Sequence, residues 1–403
     1  MKWETVKLGD IADFSNGLNF DKSAYSDGIK LIGVSNFGTR FSPDYSELSE
    51  VSAEIVREAD LLQNGDIVFV RSNGNKELVG RCMLITKAVD PVTYSGFVIR
   101  CRIHDQDKYD PVFFTYHFKS KAFRQAMAGT AVGANIQNLS QGRLSSYSAF
   151  ISDTDSQHHI AEILSSYDDL IENNQKQIKL LEEAAQRLYK EWFIDLRFPG
   201  HESTPIHDGI PDGWEKTTVE NAAAVLRRGI SPSYDENGDS TVINQKCIRQ
   251  TIVDLGEARK QTKKYPDELN LQDGDTVICS TGDGTLGRVG QIFGELENTT
   301  LDSHVTIVRA TSGIGAQLLF WAVKSQQAFL QGMGKGSTNQ LELSRSVIQN
   351  LPFILPDSKT RMAFEALAQA IHDKIATQNK QIIALQTARD RLLPKLMSGE
   401  IEV

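Results

Sequence analysis

Apolar positions recur along two long stretches of the chain with the spacing of a helix that pairs with another helix. In the first stretch, residues 160–192, they follow the contact seam of a coiled coil: Ile160, Ile163, Tyr167, Leu170, Leu181, Ala184 and Leu188. No glycine or proline interrupts the stretch before Pro199. Asn174 and Gln177 also fall on the seam, where polar groups lower stability but define register and partner. The pattern predicts a long helix that pairs with one specific helix.

The same pattern returns near the C-terminus when the numbering is shifted by 204. The matching seam positions are Phe364, Leu367, Ile371, Ile375, Ile382, Leu385, Ala388 and Leu392. Two polar identities, Gln177 with Gln381 and Arg187 with Arg391, favour a true repeat, because helical periodicity alone does not dictate a particular polar residue. We therefore predict that the two helices pair antiparallel within this chain.

Short segments before each helix also repeat, with an offset that drifts from 211 to 204. Tight turns followed by apolar runs are typical of strands. The sequence therefore indicates a diverged tandem duplication, in which each copy is a unit of strands and short helices followed by one long helix. The matched segments are Trp3-Glu4 with Trp214-Glu215, Leu31-Ile32 with Val242-Ile243, 64–69 with 273–278, 79–81 with 286–288, 97–100 with 306–309, 118–120 with 323–325, and Asn135, Leu139 and Ser140 with Asn339, Leu343 and Ser344.

This repeat predicts an α+β fold with a pseudo-two-fold arrangement. Two similar mixed α/β domains would be separated by a long antiparallel two-helix coiled coil. The predicted segments are a first domain at 1–153, a central helix at 154–198, a second domain at 199–357 and a C-terminal helix at 358–403. Asp153 and Asp357 are suitable N-caps. Helices of this length span roughly 50 Å, enough to hold two domains over successive major grooves about 34–36 Å apart, which favours a bipartite DNA reader.

Composition narrows the class of protein. The 403 residues are 40% hydrophobic and 24% charged, which is ordinary for a globular chain. No apolar run reaches the length of a membrane span and the N-terminus lacks a signal-peptide pattern, so we expect a cytoplasmic protein. The four cysteines show no CxxC spacing, which argues against zinc. A net charge of −9 argues against a nucleic-acid binder unless the acidic residues lie away from a basic face.

Two glycine-rich segments resemble nucleotide-binding motifs but lack the context that such motifs need. Residues 282–287 match GxGxxG, yet 288–293 reads as a strand and not as the required helix. In 332–339, Phe329 stands where a phosphate loop needs its first glycine. We expect no nucleotide hydrolysis. Both loops are either plain turns or loops that reach DNA.

No arrangement of residues indicates catalysis or a metal site. The chain has no Pro-Pro pair for the loop of an amino-methyltransferase and no nuclease-like Asp…Glu-x-Lys pattern, and its histidines are isolated apart from His158-His159. We therefore predict neither catalytic nor metal-binding residues.

For DNA contact, the candidates are polar side chains in or near the loops, since Arg reads guanine, Asn reads adenine and cations hold phosphates. Trp192 and Phe193 end a helix whose seam is already filled, so they either cap that seam or anchor another subunit, and we favour the anchor. The DNA-binding candidates are Arg71, Asn73, Lys76, Arg81 and Asn135 in the first half, and Thr281, Asp283, Arg288, Lys335 and Asn339 in the second.

Four segments resemble the specificity subunit of type I restriction-modification systems. They are residues 3–11 (WETVKLGDI), 181–198 (LEEAAQRLYKEWFIDLRF), 354–357 (ILPD) and 392–401 (LLPKLMSGEI). The resemblance extends over the whole chain and is most specific in the helices, whereas the two globular domains match mainly in outline.

The resemblance implies a non-catalytic protein with two target-recognition domains, each reading one half of an interrupted DNA site. It also implies that the helices bind two N6-adenine methyltransferase subunits and that a restriction and translocation subunit joins them in an endonuclease complex. S-adenosylmethionine, ATP and Mg²⁺ would belong to those partners. The alternatives are a duplicated coiled-coil adaptor that binds proteins without touching DNA, and a fused methyltransferase or nuclease, against which the missing motifs count.

Overall fold

The computed structural model describes residues 2–38, 40–73, 79–128, 137–333 and 342–403 of a mixed α/β protein. The chain divides into two compact units. Unit 1 comprises Met1–Asn173 and Ile382–Val403, and unit 2 comprises Asn174–Gln381. Within the described ranges, no helix is both long and apolar enough to cross a membrane.

Unit 1 contains short strands, short helices and parts of two long helices. Its strands are β1 (Trp3–Lys7), β2 (Ala12–Asn16), β3 (Tyr25–Ile32), β4 (Ser49–Val51), β5 (Ile67–Val70), β6 (Ser72–Asn73), β7 (Cys82–Leu84), β8 (Val92–Tyr94), β9 (Val98–Ile103), β10 (Gln137–Asn138) and β11 (Ser148–Ser152). Its helices are α1 (Leu8–Ile11), α2 (Pro111–Lys119), α3 (Lys121–Ala128), α4 (Gln141–Ser146) and the first part of α5 (Thr154–Tyr189).

The core of unit 1 is built around β5. This strand lies in a four-stranded sheet of order β2-β9-β5-β7 and is buried along its whole length. Since successive strand residues point to opposite faces, Ile67 and Phe69 pack with the α2 aromatics. Val68 and Val70 pack on the other side against the three-stranded sheet β4-β3-β8. The apolar run that predicted a strand therefore forms a strand buried on both faces.

Unit 2 repeats this order of elements. Its strands are β12 (Ile206–His207), β13 (Ile210–Pro211), β14 (Glu215–Thr218), β15 (Ala223–Arg228), β16 (Ser240–Ile243), β17 (Arg259–Gln261), β18 (Thr276–Cys279), β19 (Val289–Gln291), β20 (Thr299–Leu301), β21 (Val305–Ala310) and β22 (Pro352–Leu355). Its helices are the last part of α5, which continues as a π-turn over Lys190–Ile194, then α6 (Val219–Ala222), α7 (Ala316–Lys324), α8 (Gln327–Gly332), α9 (Arg345–Gln349) and α10 (Ser358–Met397), whose end lies in unit 1.

The sheets of unit 2 have the orders β15-β21-β18-β19 and β17-β16-β20, which match those of unit 1 strand for strand. A two-stranded sheet, β1-β11 in unit 1 and β14-β22 in unit 2, leads into α5 and α10 respectively. Asp153 accepts a hydrogen bond from the Ser156 amide at 3.1 Å, and Asp357 accepts one from the Lys359 amide at 2.9 Å. Both predicted N-caps are therefore confirmed.

The matched strands correct one alignment made from the sequence. In unit 1 the Arg71 amide donates to the Phe97 carbonyl at 2.8 Å, and in unit 2 the Ser280 amide donates to the His304 carbonyl at the same distance. Phe97 therefore corresponds to His304, two residues before the Thr306 that the pairing of 97–100 with 306–309 assigned to it. The error arose because β9 contains two arginines two residues apart, Arg100 and Arg102, and the sequence pairing matched Arg309 with the first. The structure matches Arg309 with Arg102, since these two form the equivalent ion pairs with Asp275 and Asp66.

The helix seams lie one position later than predicted in the middle of each long helix. In α5 the buried positions include Ile171 and Ile178, whereas Leu170 is 50% exposed. In α10 Ala368 is buried and Leu367 is 50% exposed. At both places in α5 the side chain that turns inward is an isoleucine. Gln177, next to the buried Ile178, is only half-buried, because burying the apolar side chain of the two is more favourable.

Each unit contains contacts between α5 and α10. In unit 1, Ile160 and Leu164 share a core with Leu396 and Met397. In unit 2, Ala185 and Tyr189 share a core with Phe364 and Ala368, and the Gln378 amide donates to Gln177.

Trp192 and Phe193 belong to the core of unit 2, where they are 7% and 4% exposed. The Phe193 ring lies 4.8 Å from that of Phe364 and 5.7 Å from that of Trp214. These aromatics close the end of the helix seam, which is the other role that the sequence allowed. Because both side chains are used within this chain, their burial counts against the anchor for another subunit that we favoured from the sequence.

Candidate nucleic-acid interface

In both units, three loops meet at one end of the four-stranded sheet, where β5 of unit 1 or β18 of unit 2 ends. One follows β2 or β15, one follows β5 or β18, and one precedes β9 or β21. Gly17 and Gly229 allow the first and third loops to touch, because a Cβ atom on either glycine would clash with the carbonyl oxygen of Tyr94 or Leu301. The isolated bridges Leu18–Ser95 and Ile230–Asp302 hold the loops together.

Arg71 holds this junction together in unit 1. Its Nη1 donates to the Gly96 carbonyl at 3.1 Å, and its own carbonyl accepts from the Leu139 amide at 2.9 Å. The guanidinium is half-buried, with four further N–H donors that a ligand could use. Phe97, in the same loop, is 62% exposed, so its ring is available to a ligand.

Arg81, Asn73, Lys76 and Asn135 are the other candidates of unit 1. Arg81 is half-buried, and its carbonyl accepts from the Val70 amide at 2.9 Å, so it lies at the start of the strand that pairs with β5. Asn73 lies in β6. Lys76 and Asn135, and Lys335 and Asn339 of unit 2, lie outside the described residues.

Thr281 is the corresponding centre of hydrogen bonding in unit 2. Its Oγ1 lies 2.6 Å from His304 Nδ1 and accepts from Gln245 Nε2 at 2.9 Å. Thr281 thereby links the loop after β18 to the loop before β21 and to the segment after β16. The hydroxyl is thus held by two side chains, each of which keeps polar atoms for other partners.

Asp283 and Arg288 lie in one closed turn after Thr281. Arg288 Nη2 donates to the Gly284 carbonyl at 2.6 Å, and Asp283 is exposed at the tip. Gly282 has φ +103° and Gly284 has φ +70°, a conformation that favours glycine. Strand β19 follows the turn, which confirms the strand predicted there in place of the helix that a dinucleotide-binding motif needs.

Burial tunes the titratable groups behind these loops toward their neutral forms. Burial raises the pKa of the Asp302 carboxyl, which accepts from the His304 amide at 2.9 Å. It also raises the pKa of the Cys279 thiol to about 12, so this thiol is not a nucleophile at neutral pH. Among the described residues, no group of three or more His, Cys, Asp or Glu side chains could hold a metal ion. The loops therefore offer hydrogen bonds and cations for binding.

Sequence reasoning missed Phe97, His304 and Gln245 at this junction. His304 was set aside as isolated, although aligning it with Phe97 would have placed it in the loop of unit 2 that corresponds to the loop contacted by Arg71 in unit 1. Gln245 is 36 residues from Thr281, and no local pattern reports such a contact. The alignment error of two residues therefore hid half of the unit 2 site.

Comparisons with known proteins agree on one family. Residues 1–183 match the family model of the type I restriction modification DNA specificity domain. The MjaIX specificity subunit of a type I restriction enzyme from Methanocaldococcus jannaschii is 26% identical over 305 residues, covering 72% of this chain and 69% of that protein. The HindI specificity subunit from Haemophilus influenzae is 21% identical and aligns over 99% of both chains.

A solved structure shows the same fold. The crystal structure of the S subunit of a type I restriction-modification system from M. genitalium covers 98% of this chain, with a TM-score of 0.58 and 15% sequence identity. The alignment covers 96% of that chain as well. The likeness therefore extends through both units and both long helices.

Proposed function

We propose that this chain, a specificity subunit of the type I restriction-modification family, selects the DNA sequence on which partner subunits act. It would carry out no chemistry itself. Two N6-adenine methyltransferase subunits and a restriction subunit would bind S-adenosylmethionine, ATP and Mg²⁺ and act on the selected site.

One observation supports a bipartite and asymmetric target. The two units have the same strand order and the same loop junction, but different side chains occupy it: Arg71 and Phe97 in unit 1, and Thr281 and His304 in unit 2. Base edges are distinguished by the donors and acceptors presented to them. Two equivalent sites with different donors and acceptors would read two different half-sequences.

The proposed architecture is a tandem duplication in which each unit is one target-recognition domain. The contacts between α5 and α10 within each unit support an antiparallel helix pair. Such a pair would set the number of unread base pairs between the half-sites, because α-helical length is determined by residue count.

The test is to co-express the chain with the methyltransferase subunit encoded beside it and to map methylated adenines in the host genome. We expect one split motif with a constant gap. Arg71→Ala should relax one half of the motif and Arg288→Ala the other, since a bidentate base contact contributes about 1–3 kcal/mol of discrimination. Arg57→Ala, which removes an exposed arginine paired with Asp60 in unit 1, is the matched control.

Methylation without a split motif would refute the proposal. If the chain assembles with the methyltransferase but directs it to no DNA sequence, the adaptor function is the better explanation. If both arginine variants relax the same half, the assignment of one unit to each half is wrong.

A further inference from the structure

The edge strand β17 and the turn after it carry opposite charge to their counterpart in unit 1. Residues 259–264 read RKQTKK, with four basic and no acidic side chains. All four cations, Arg259, Lys260, Lys263 and Lys264, are exposed, and we call them the basic strip.

Strand pairing identifies the matching residues of unit 1. Lys260 lies opposite Thr241 of β16, and Glu50 lies opposite Lys30 of β3. Thr241 and Lys30 occupy the same position of the central strand, so Glu50 takes the place of Lys260. Residues 49–54 read SEVSAE, with two acidic and no basic side chains. The same edge is therefore cationic in unit 2 and anionic in unit 1.

The basic strip is connected to the candidate interface of unit 2. The Arg259 guanidinium lies 3.6 Å from the centroid of the Tyr234 ring, and Lys263 Nζ donates to the Ser231 carbonyl at 2.9 Å. Ser231 directly follows Ile230, which is bridged to Asp302 in the loop that contains His304. Two cations of the strip are thus held against the segment that borders the loop junction.

The strip remains charged and available. Over the part of the chain that the structure describes, no salt bridge neutralises any of its four cations, whereas the nearby Arg249 is 3.6 Å from Glu257. The position of Arg259 over the Tyr234 ring leaves its positive charge in place, since the ring is uncharged.

We propose that the basic strip contacts the phosphates of the DNA duplex and positions unit 2 on it independently of base sequence. This inference rests on the proposed function. Lysines and arginines on phosphates release condensed counterions and supply affinity without reading sequence. Unit 2 would hold the duplex through charge, while unit 1, with Glu50 and Glu54 at the same edge, would depend more on its loop junction.

The test uses the assembled complex with methyltransferase subunits and measures DNA dissociation constants from 50 to 300 mM salt. The variant combines Lys260→Gln, Lys263→Gln and Lys264→Gln. Its control combines Lys7→Gln, Lys108→Gln and Lys216→Gln, three exposed lysines that lie outside both long helices and outside β17. The duplexes are the mapped target site and a scrambled duplex of equal length.

For the strip variant we expect the plot of log binding constant against log salt concentration to be less steep by about 2 to 3, because each lost phosphate contact removes about 0.9 from the magnitude of the slope. Near 0.1 M salt, affinity should fall about 100- to 1000-fold for both duplexes, while the methylated motif keeps its sequence. Lys260→Gln alone should lower the slope by about 0.9.

A slope equal to that of the control variant would overturn the inference and leave the lysines with the role of preventing edge-to-edge strand pairing. Loss of complex assembly, measured by mass photometry, would overturn it in favour of an acidic partner surface. If the wild-type complex itself shows no preference for the target duplex, the proposed function fails and not merely this surface.

Discussion

The two units share a backbone but place their aromatic side chains differently. In unit 1 the rings lie on one short helix and the segment after it, with Phe113, Phe114, Phe118 and Phe123 all buried. In unit 2 the equivalent helix α7 carries Leu318, Leu319 and Val323 at the first three of these positions. Helix α7 keeps two buried rings, Phe320 and Trp321. A second aromatic cluster, without a counterpart among the described residues of unit 1, surrounds Phe364 near the end of α5 and the start of α10: Tyr189, Trp192, Phe193 and Trp214.

This difference shows which features the shared fold requires. Core side chains are exchangeable as long as their total volume is kept, so the aromatic positions were free to diverge. The turn before β5 or β18 was not free. Asp66 accepts from the Gln63 amide and Asp275 from the Gln272 amide, each at 2.7 Å, and each pairs with an arginine of the neighbouring strand. Buried hydrogen bonds require exact partners, whereas apolar contacts require only shape.

The largest difference between the units should come from the aromatic cluster of unit 2. Phe364 is fully buried, so Phe364→Ala should lower the free energy of unfolding of unit 2 by about 4 kcal/mol. Hydrogen exchange of β18 and β21 would measure it. Phe329→Ala, in a side chain that is 54% exposed in the same unit, should cost no more than about 0.5 kcal/mol. Equal losses from the two variants would contradict the burial assigned to Phe364.

The shared ion pairs should have similar effects in the two units. Asp66→Asn and Asp275→Asn should each cost about 3 kcal/mol in their own unit, because each leaves Arg102 or Arg309 without its carboxylate. Urea unfolding of the variants would measure this. Asp90→Asn, which removes the exposed partner of Lys30, should cost less than about 1 kcal/mol. A cost in only one unit would show that the two turns are not equivalent.

Acid should lower the stability of unit 1 through His117 of α2. In unit 2 the corresponding position of α7 is Ala322, which does not titrate. Burial lowers the pKa of His117 to about 4, against 6.5 for the exposed side chain. The unfolded state therefore binds the proton first, and stability is lost as the pH falls from 6.5 toward 4. At pH 5 this loss amounts to about 2 kcal/mol.

His117→Phe is the variant that isolates this effect. Urea unfolding at pH 7 and pH 5 should show a difference between the two pH values that is about 2 kcal/mol smaller in the variant than in the wild type. Phenylalanine keeps the ring among its aromatic neighbours, so the comparison within each protein cancels any packing change. An unchanged pH difference would show that His117 is not the titrating group.

The smallest effect is expected at the polar pair of α5 and α10 in unit 2. The Gln378 amide donates to Gln177, while its own Oε1 has no partner among the described residues. Gln378→Leu should change the stability of unit 2 by at most about 1 kcal/mol, since one hydrogen bond is lost and apolar area is gained. Thermal unfolding would measure it against Thr377→Leu, an exposed position in the same turn. A loss above 3 kcal/mol would indicate that the pair is essential to the seam.

Local signals in the sequence were sufficient for several parts of the molecule. The N-caps Asp153 and Asp357, the turns at Gly65 and Gly274 and the strand after residue 288 all depend on neighbours within a few residues. The candidate site was found only in part. Arg71, Thr281 and Arg288 were chosen from loop composition, but the contacts of Thr281 with Gln245 and His304 join residues 36 and 23 positions apart.

The sequence by itself determined that the chain consists of two like halves with long helices, because periodicity, turn chemistry and repeated motifs are local properties. Only the tertiary structure decided the register of β9 against β21, the burial of Trp192 and Phe193, and the opposite charge of the two equivalent edge strands. These depend on which strands pair and which faces meet, and pairing between distant segments is set by the packing of the whole unit.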